Sequence, residues 1–129
     1  MVRLLKEKSN FEFEMTCRRI YSFLESKNIP VFVTVDHRLN AEKVKLTLRP
    51  EKVIMFGSPL VGTPLIEENP DVGIELPSKV LVYQENDSVF VVHFDYDALG
   101  NEYHLLATSE YLRNLRSLVS DLVIYATRL

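Results

Sequence analysis

Residues Lys79–Asp95 read KVLVYQENDSVFVVHFD. Two runs rich in Val, Phe and Tyr, Lys79–Tyr83 and Val89–Asp95, flank the polar segment Gln84-Glu85-Asn86-Asp87-Ser88. β-Branched and aromatic residues suit a pleated, half-buried surface, and a short polar break between two such runs makes a hairpin. Upstream, VFVTVD (Val31–Asp36) alternates, with Val31, Val33 and Val35 on one side and Phe32, Thr34 and Asp36 on the other. Lys52–Phe56 is a further strand ended by Gly57-Ser58-Pro59, and Arg3–Lys6 is a short mixed segment that reads as an edge strand.

Helical spacing brackets these strands. Phe13, Cys17, Ile20, Tyr21 and Leu24 make one apolar stripe, with Glu14 and Arg18 paired outside it. Ser9 and Glu12 read as a capping box, Asn28 as a left-handed stop, and Pro30 bars continuation, so the first helix spans about Asn10–Lys27. His37–Lys45 is a short helical turn with Leu39 and Val44 inward. Thr63-Pro64 reads as the start of a third helix, with Thr63 as N-cap, broken at Asn69-Pro70. Tyr96–Leu106 is expected to be irregular, with a turn at Gly100-Asn101. Thr108 or Ser109 caps the last helix, where Leu115, Val119, Leu122, Ala126 and Leu129 form a buried seam. Mostly antiparallel strands with a long helix near each end leave one sheet face covered. The other must meet solvent, bind something or pair with another copy.

Bulk properties narrow the function classes. The 129 residues fit a single domain, 1–129, that buries roughly two-thirds of its unfolded surface. Net charge is −3, from 15 Lys and Arg against 18 Asp and Glu with no basic run above two residues, which argues against nucleic acid. Cys17 is the single cysteine, so no intramolecular disulfide and no four-cysteine zinc site can form. Apolar runs of about five residues fall far short of the ~20 that span a bilayer, so no membrane partner is expected. MVRLLKEKSN lacks the apolar core of a signal peptide, and the expected location is cytoplasmic. Gln84 is the only glutamine and Trp is absent; low glutamine fits a thermophile's composition.

Three stretches carry a resemblance. Phe56–Lys79 (FGSPLVGTPLIEENPDVGIELPSK) and Val33–Val44 (VTVDHRLNAEKV), followed by the hairpin LVYQENDSVFVVHFD, resemble domain-of-unknown-function family 302 over nearly the whole chain. The resemblance implies a fold similar to half of a TATA-binding protein: α+β, a curved, mainly antiparallel sheet of four to five strands with two long helices packed on one face. It also implies a homodimer, metal in some members, and no assigned activity. The likeness to a DNA-binding saddle is one of fold and licenses no DNA function. This chain departs from the family pattern at Lys45, Ser58, Leu60 and Glu75, and keeps a lysine at Lys79. The loss of a lysine at Leu60 removes one candidate anion contact.

The candidate chemistry is sparse. A helix start at Thr63 with free amides could hold a small anion, with Gly57 and Ser58 beside it, or the two glycines could serve only a tight strand-to-helix connection. Asp36, His37, Lys79 and Asp95 complete the candidate ligand-binding set. Imidazole with carboxylate suits a divalent metal such as zinc, and the candidate ligands are His37, His104 and Asp95. His93 and Asp95 share a strand face by the period of two, and would serve one site if that face is open. Cys17 reads as a core thiol. No catalytic triad, nucleotide fingerprint or cofactor-lysine motif appears. The leading reading is a homodimeric small-ligand or metal-binding domain. Its rivals are an interaction module without ligand and a metal-assisted enzyme using His37.

Overall fold

Alternation along the strands produces two unlike sheet faces. In the computed structural model, which describes residues 3–129, the strands are β1 (Leu4–Lys8), β2 (Val31–Asp36), β3 (Glu51–Phe56), β4 (Ser78–Glu85) and β5 (Ser88–Phe94). They form one curved sheet in the order β1-β5-β4-β3-β2, with every neighbouring pair antiparallel. The helices are α1 (Phe13–Ser26), α2 (His37–Lys43), α3 (Pro59–Glu68), α4 (Tyr96–Glu102) and α5 (Ser109–Thr127), with a 3₁₀ turn at Pro70–Ile74. Ile54, Phe56, Val80, Val82 and Val91 are fully buried beneath the two long helices, α1 and α5, which pack on each other. The alternate residues Val53, Met55, Lys79, Leu81, Tyr83, Phe90 and Val92 stay half-buried on the open face. The α+β class, the antiparallel sheet and the helix-covered face are as the sequence predicts.

The hairpin is tighter than its polar segment suggests. Glu85 pairs with Ser88, which leaves Asn86-Asp87 as the turn, and Asn86 takes the left-handed φ of 57°. Asparagine tolerates that region better than most residues. Asn28, at φ 57°, ends α1 as expected.

Several helix boundaries differ from expectation, each for a local reason. Glu12, not Ser9, caps α1, and its carboxylate accepts from Met15 N at 3.0 Å. Ser9 is buried and bonds Thr16 Oγ1 at 2.7 Å instead. Leu39 and Val44 do not turn inward; they are 48% and 66% exposed, because α2 lies at the sheet's edge and packs chiefly on β3. The third helix starts five residues early. Ser58 Oγ accepts from Leu60 N at 3.2 Å, Pro59 takes the first turn, and Thr63 lies exposed within the helix. Tyr96–Glu102 is a helix, not an irregular stretch. Asp95 Oδ1 accepts from Asp97 N and Ala98 N at 3.1 Å, and Tyr96, Ala98, Leu99 and Gly100 are buried. Gly100 makes room there, since a Cβ would lie 2.5 Å from Leu112 Cδ2 on α5. Of the α5 seam, Leu115, Val119, Leu122 and Ala126 are buried, while Leu129 lies beyond the helix end and is exposed.

Candidate functional site

Two recesses among the described residues, on opposite sides of the sheet, are lined by residues that the sequence singled out. The larger, about 500 Å³, lies on the helix side where β3 runs into α3. Phe32, Phe56, Val61, Leu76, Leu115 and Leu118 supply apolar walls, and Gly57, Ser58, Thr63 and Ser78 supply its polar groups. Its shape follows from local sequence. Gly57 adopts φ 153°, a conformation L-residues avoid, and this turns the chain from β3 into the α3 cap. Gly62 keeps that wall of α3 bare, since a Cβ there would meet only Leu76 Cδ1, at 3.7 Å. The Tyr96 hydroxyl, buried beside Ser78, makes no hydrogen bond of good geometry among the described residues. Burial pushes that hydroxyl up to about 12, and the neighbouring Ser78 pulls slightly the other way.

The smaller recess, about 270 Å³, opens on the uncovered face, with Leu4, Val53, Leu81, Val92 and Phe94 around it and His37, Glu51 and Lys79 at its margins. It exists because β4 and β5 place small aliphatic side chains at the middle of the face, with Lys79 and Phe94 toward one end. His37 reaches its rim because α2 begins directly where β2 ends. Desolvation holds the Lys79 ammonium below its ordinary value, with Glu75 acting against that shift.

The candidate residues therefore divide. Gly57, Ser58 and Thr63 line the helix-side recess, and His37 and Lys79 the open-face recess. Asp36 and Asp95 both act as helix caps, Asp36 Oδ1 accepting from Leu39 N at 2.9 Å. His93 points to the helix-covered face beside Val123 and Thr127, where burial lowers its proton affinity. Asp95 has left the strand for the α4 cap, so this pair does not share an open face. His104 is exposed, just beyond α4, with φ 54°. Asp95 and His104 thus flank opposite ends of α4, and His37 opens α2. Among the described residues no three His, Cys, Asp or Glu side chains are grouped so as to hold a metal ion. Phe32 lines the helix-side recess, while Phe90 packs on Tyr83 across the open face, centroids 5.4 Å apart.

Sequence reasoning missed a carboxylate clamp. Glu68, at the end of α3, accepts from Leu106 N, Ala107 N and Thr108 N at 2.8–2.9 Å and from the Thr108 hydroxyl. These bonds, the Thr108 hydroxyl foremost, hold it down to about 2. A lone Glu on a helix gives no signal of partners about forty residues away. Glu75 is a second such knot, paired with Arg3 and accepting from Tyr103 Oη at 2.8 Å. Cys17 is buried in the core, and desolvation pushes its thiol up to about 11, which suits packing and not nucleophilic attack.

Comparison with known proteins agrees with the fold. The crystal structure of an uncharacterized conserved DUF302 protein from Bacillus stearothermophilus superposes with a TM-score of 0.84, at 18% identity, covering 99% of this chain and 100% of the other. Among named relatives, "Fluoride-specific ion channel FluC 1" of Brucella suis is 30% identical over 82 residues, which are 64% of this chain and 32% of the channel. "Fluoride-specific ion channel FluC 2" of Brucella melitensis matches equally over 30% of its length. The chain's match thus spans about a third of these relatives. Among the described residues no helix is long and apolar enough to cross a membrane. The family profile "Domain of unknown function DUF302" matches residues 5–122, and the chain belongs to that family.

Proposed function

We propose that this chain is a non-catalytic binding domain for a small, largely apolar molecule seated in the helix-side recess. The observation that carries the reading is the recess itself. About 500 Å³ with apolar walls and a few hydroxyls is the make-up of small-molecule sites, where apolar contact supplies affinity and sparse polar groups supply orientation. The few hydroxyls on its lining, from Ser58, Thr63 and Ser78, favour a ligand with one hydrogen-bonding group. The test is titration with anilinonaphthalene sulfonate, a fluorescent apolar probe, on the wild type and on Gly62→Leu. Gly62 lines the recess on ordinary helical backbone, and a Cβ there makes only an ordinary contact with Leu76, so leucine at this position is expected to occupy the recess. Binding by the wild type and its loss in Gly62→Leu are expected. Equal fluorescence enhancement in both proteins would exclude this recess.

A homodimer is the second reading. The observation favouring it is β2, an edge strand whose Val31, Phe32 and Val33 are between 36% and 50% exposed and carry no charge. Uncharged edge strands invite pairing with another chain. Light scattering at micromolar concentration should return twice the 14.9 kDa chain mass; the mass of one chain would exclude the dimer.

A further inference from the structure

The open-face recess holds a half-buried ammonium whose nearby carboxylates are already engaged. Lys79 Nζ lies 5.9 Å from the Phe94 ring centroid, bordered by Leu4, Leu81 and Val92. Glu75 is occupied by Arg3 and by the Tyr103 hydroxyl. Glu51, on the recess's far margin, pairs with Arg49 Nη1 at 3.2 Å. Among the described residues Lys79 forms no salt bridge of its own. A partly desolvated cation without a counter-charge is unfavourable, and a carboxylate brought to it would relieve that cost.

We propose that this recess binds a small monocarboxylate with a compact apolar body, its carboxylate on Lys79 Nζ and its body across Leu81, Val53 and Val92. The sheet register sets the dimensions. Lys79 pairs with Met55 and Tyr83 with Glu51, so Lys79 and Glu51 lie four residues apart along β3, roughly 13 Å. The span between them is aliphatic, and His37 stands on the margin. The charge balance selects the head group. A phosphate brings a charge of about −1.5 to −2 and three acceptor oxygens. Against it the recess offers one ammonium, with a carboxylate, Glu51, at the far margin. A monoanion matches this provision, and a dianion does not. The site shares no side chain with the helix-side recess, so either assignment can fail alone.

The experiment is an NMR titration with three probes: hexanoate, hexanol and inorganic phosphate. Hexanoate should move the His37 ring signals and the Leu81 and Val92 methyl signals while leaving the Gly62 amide in place. Hexanol, which lacks the charge, should bind about tenfold more weakly, and phosphate should move none of these signals. Lys79→Met keeps the apolar stem against Phe94 and should reduce hexanoate binding to the level of hexanol. Lys79→Arg, which restores the charge, should recover most of it. The proposal is overturned if millimolar hexanoate leaves these signals unmoved, if hexanol binds as well, if phosphate competes, or if Lys79→Met binds unchanged. Hexanoate shifts confined to Gly62 and Leu118 would also overturn it, and would leave the helix-side reading standing.

Discussion

The two faces of β4 are built from neighbouring residues and behave as different materials. Val80 and Val82 are fully buried under the helices, while Lys79, Leu81 and Tyr83, one residue out of step, meet solvent in part. The covered face is closed by aliphatic packing against α1 and α5. The open face is closed only at places, and by long cationic side chains. Lys6 donates to Tyr83 Oη at 2.8 Å and lies 5.1 Å from the Phe90 centroid, and Arg3 and Lys79 flank the Phe94 ring. Such side chains cover aromatic surface with their stems and keep the face wettable with their heads. What they leave uncovered, at Val53, Leu81 and Val92, is the small recess. Packing thus fixes one face, and charge placement shapes the other.

The largest expected effect tests that contrast directly. Leu122 is fully buried on α5, and Leu122→Ala should cost about 2–5 kcal/mol through lost burial and the cavity left behind. Leu81→Ala, on the half-buried face, should cost about 1 kcal/mol, since much of its surface already meets water. Urea denaturation of the two variants measures both. If Leu81→Ala costs as much as Leu122→Ala and its cost grows with protein concentration, a second copy covers the open face and the two faces are alike in the native assembly.

Much of the covered face was legible in the sequence, because burial writes itself as periodicity. Phe13, Cys17, Ile20 and Leu24 on α1, and Leu115, Val119, Leu122 and Ala126 on α5, repeat at helical spacing and are all buried. Strand alternation found β2 to β5 to within a few residues. What failed to show was everything fixed by contacts between distant segments. The helix α4 was hidden because Gly100 suggested a turn, whereas its lack of a Cβ admits Leu112 of α5. The separation of His93 from Asp95 was hidden because the strand ends between them, at Phe94. The open-face recess was hidden because nothing along the chain says that Arg3 occupies Glu75 and Arg49 occupies Glu51, leaving Lys79 unmatched.

A smaller effect sharpens the account of the helix-side recess. The sequence holds two successive Ser/Thr-Pro pairs, Ser58-Pro59 and Thr63-Pro64, and both have the chemistry of a helix start. The structure uses the first, because Gly57 completes the turn out of β3 there. Ser58→Ala should therefore cost about 1 kcal/mol of stability, the usual worth of a side-chain cap. Thr63→Ala, at an exposed position inside the helix, should change stability by less than about 0.5 kcal/mol. Thermal unfolding of both variants decides the order. The reverse ranking would place the functional start of α3 at Thr63 and move the polar rim of the recess with it.

The smallest effect is a pH dependence, and it concerns what joins α3 to α5 on the covered side. Glu68 reaches from the end of α3 to three backbone amides and a hydroxyl just before α5. Its carboxyl is held down to about 2 in the folded chain, against an ordinary value of 4.5. The sign follows from linkage. A carboxyl whose folded value is depressed binds its proton more readily when the chain is unfolded, so acid favours unfolding. The clamp's contribution is complete above pH about 4.5 and is lost as pH falls toward about 2. The group is only half-buried, so solvent screens the interaction and reduces its size. Glu68→Gln keeps the shape and one acceptor oxygen but loses the charge. At pH 6 its urea midpoint should lie below that of the wild type, and by pH 3 the gap should narrow. A gap that stays constant between the two pH values would mean that hydrogen-bond geometry alone, without the carboxylate charge, holds α3 to α5. The covered side would then owe nothing to electrostatics, and its contrast with the Lys-roofed open face would be sharper still.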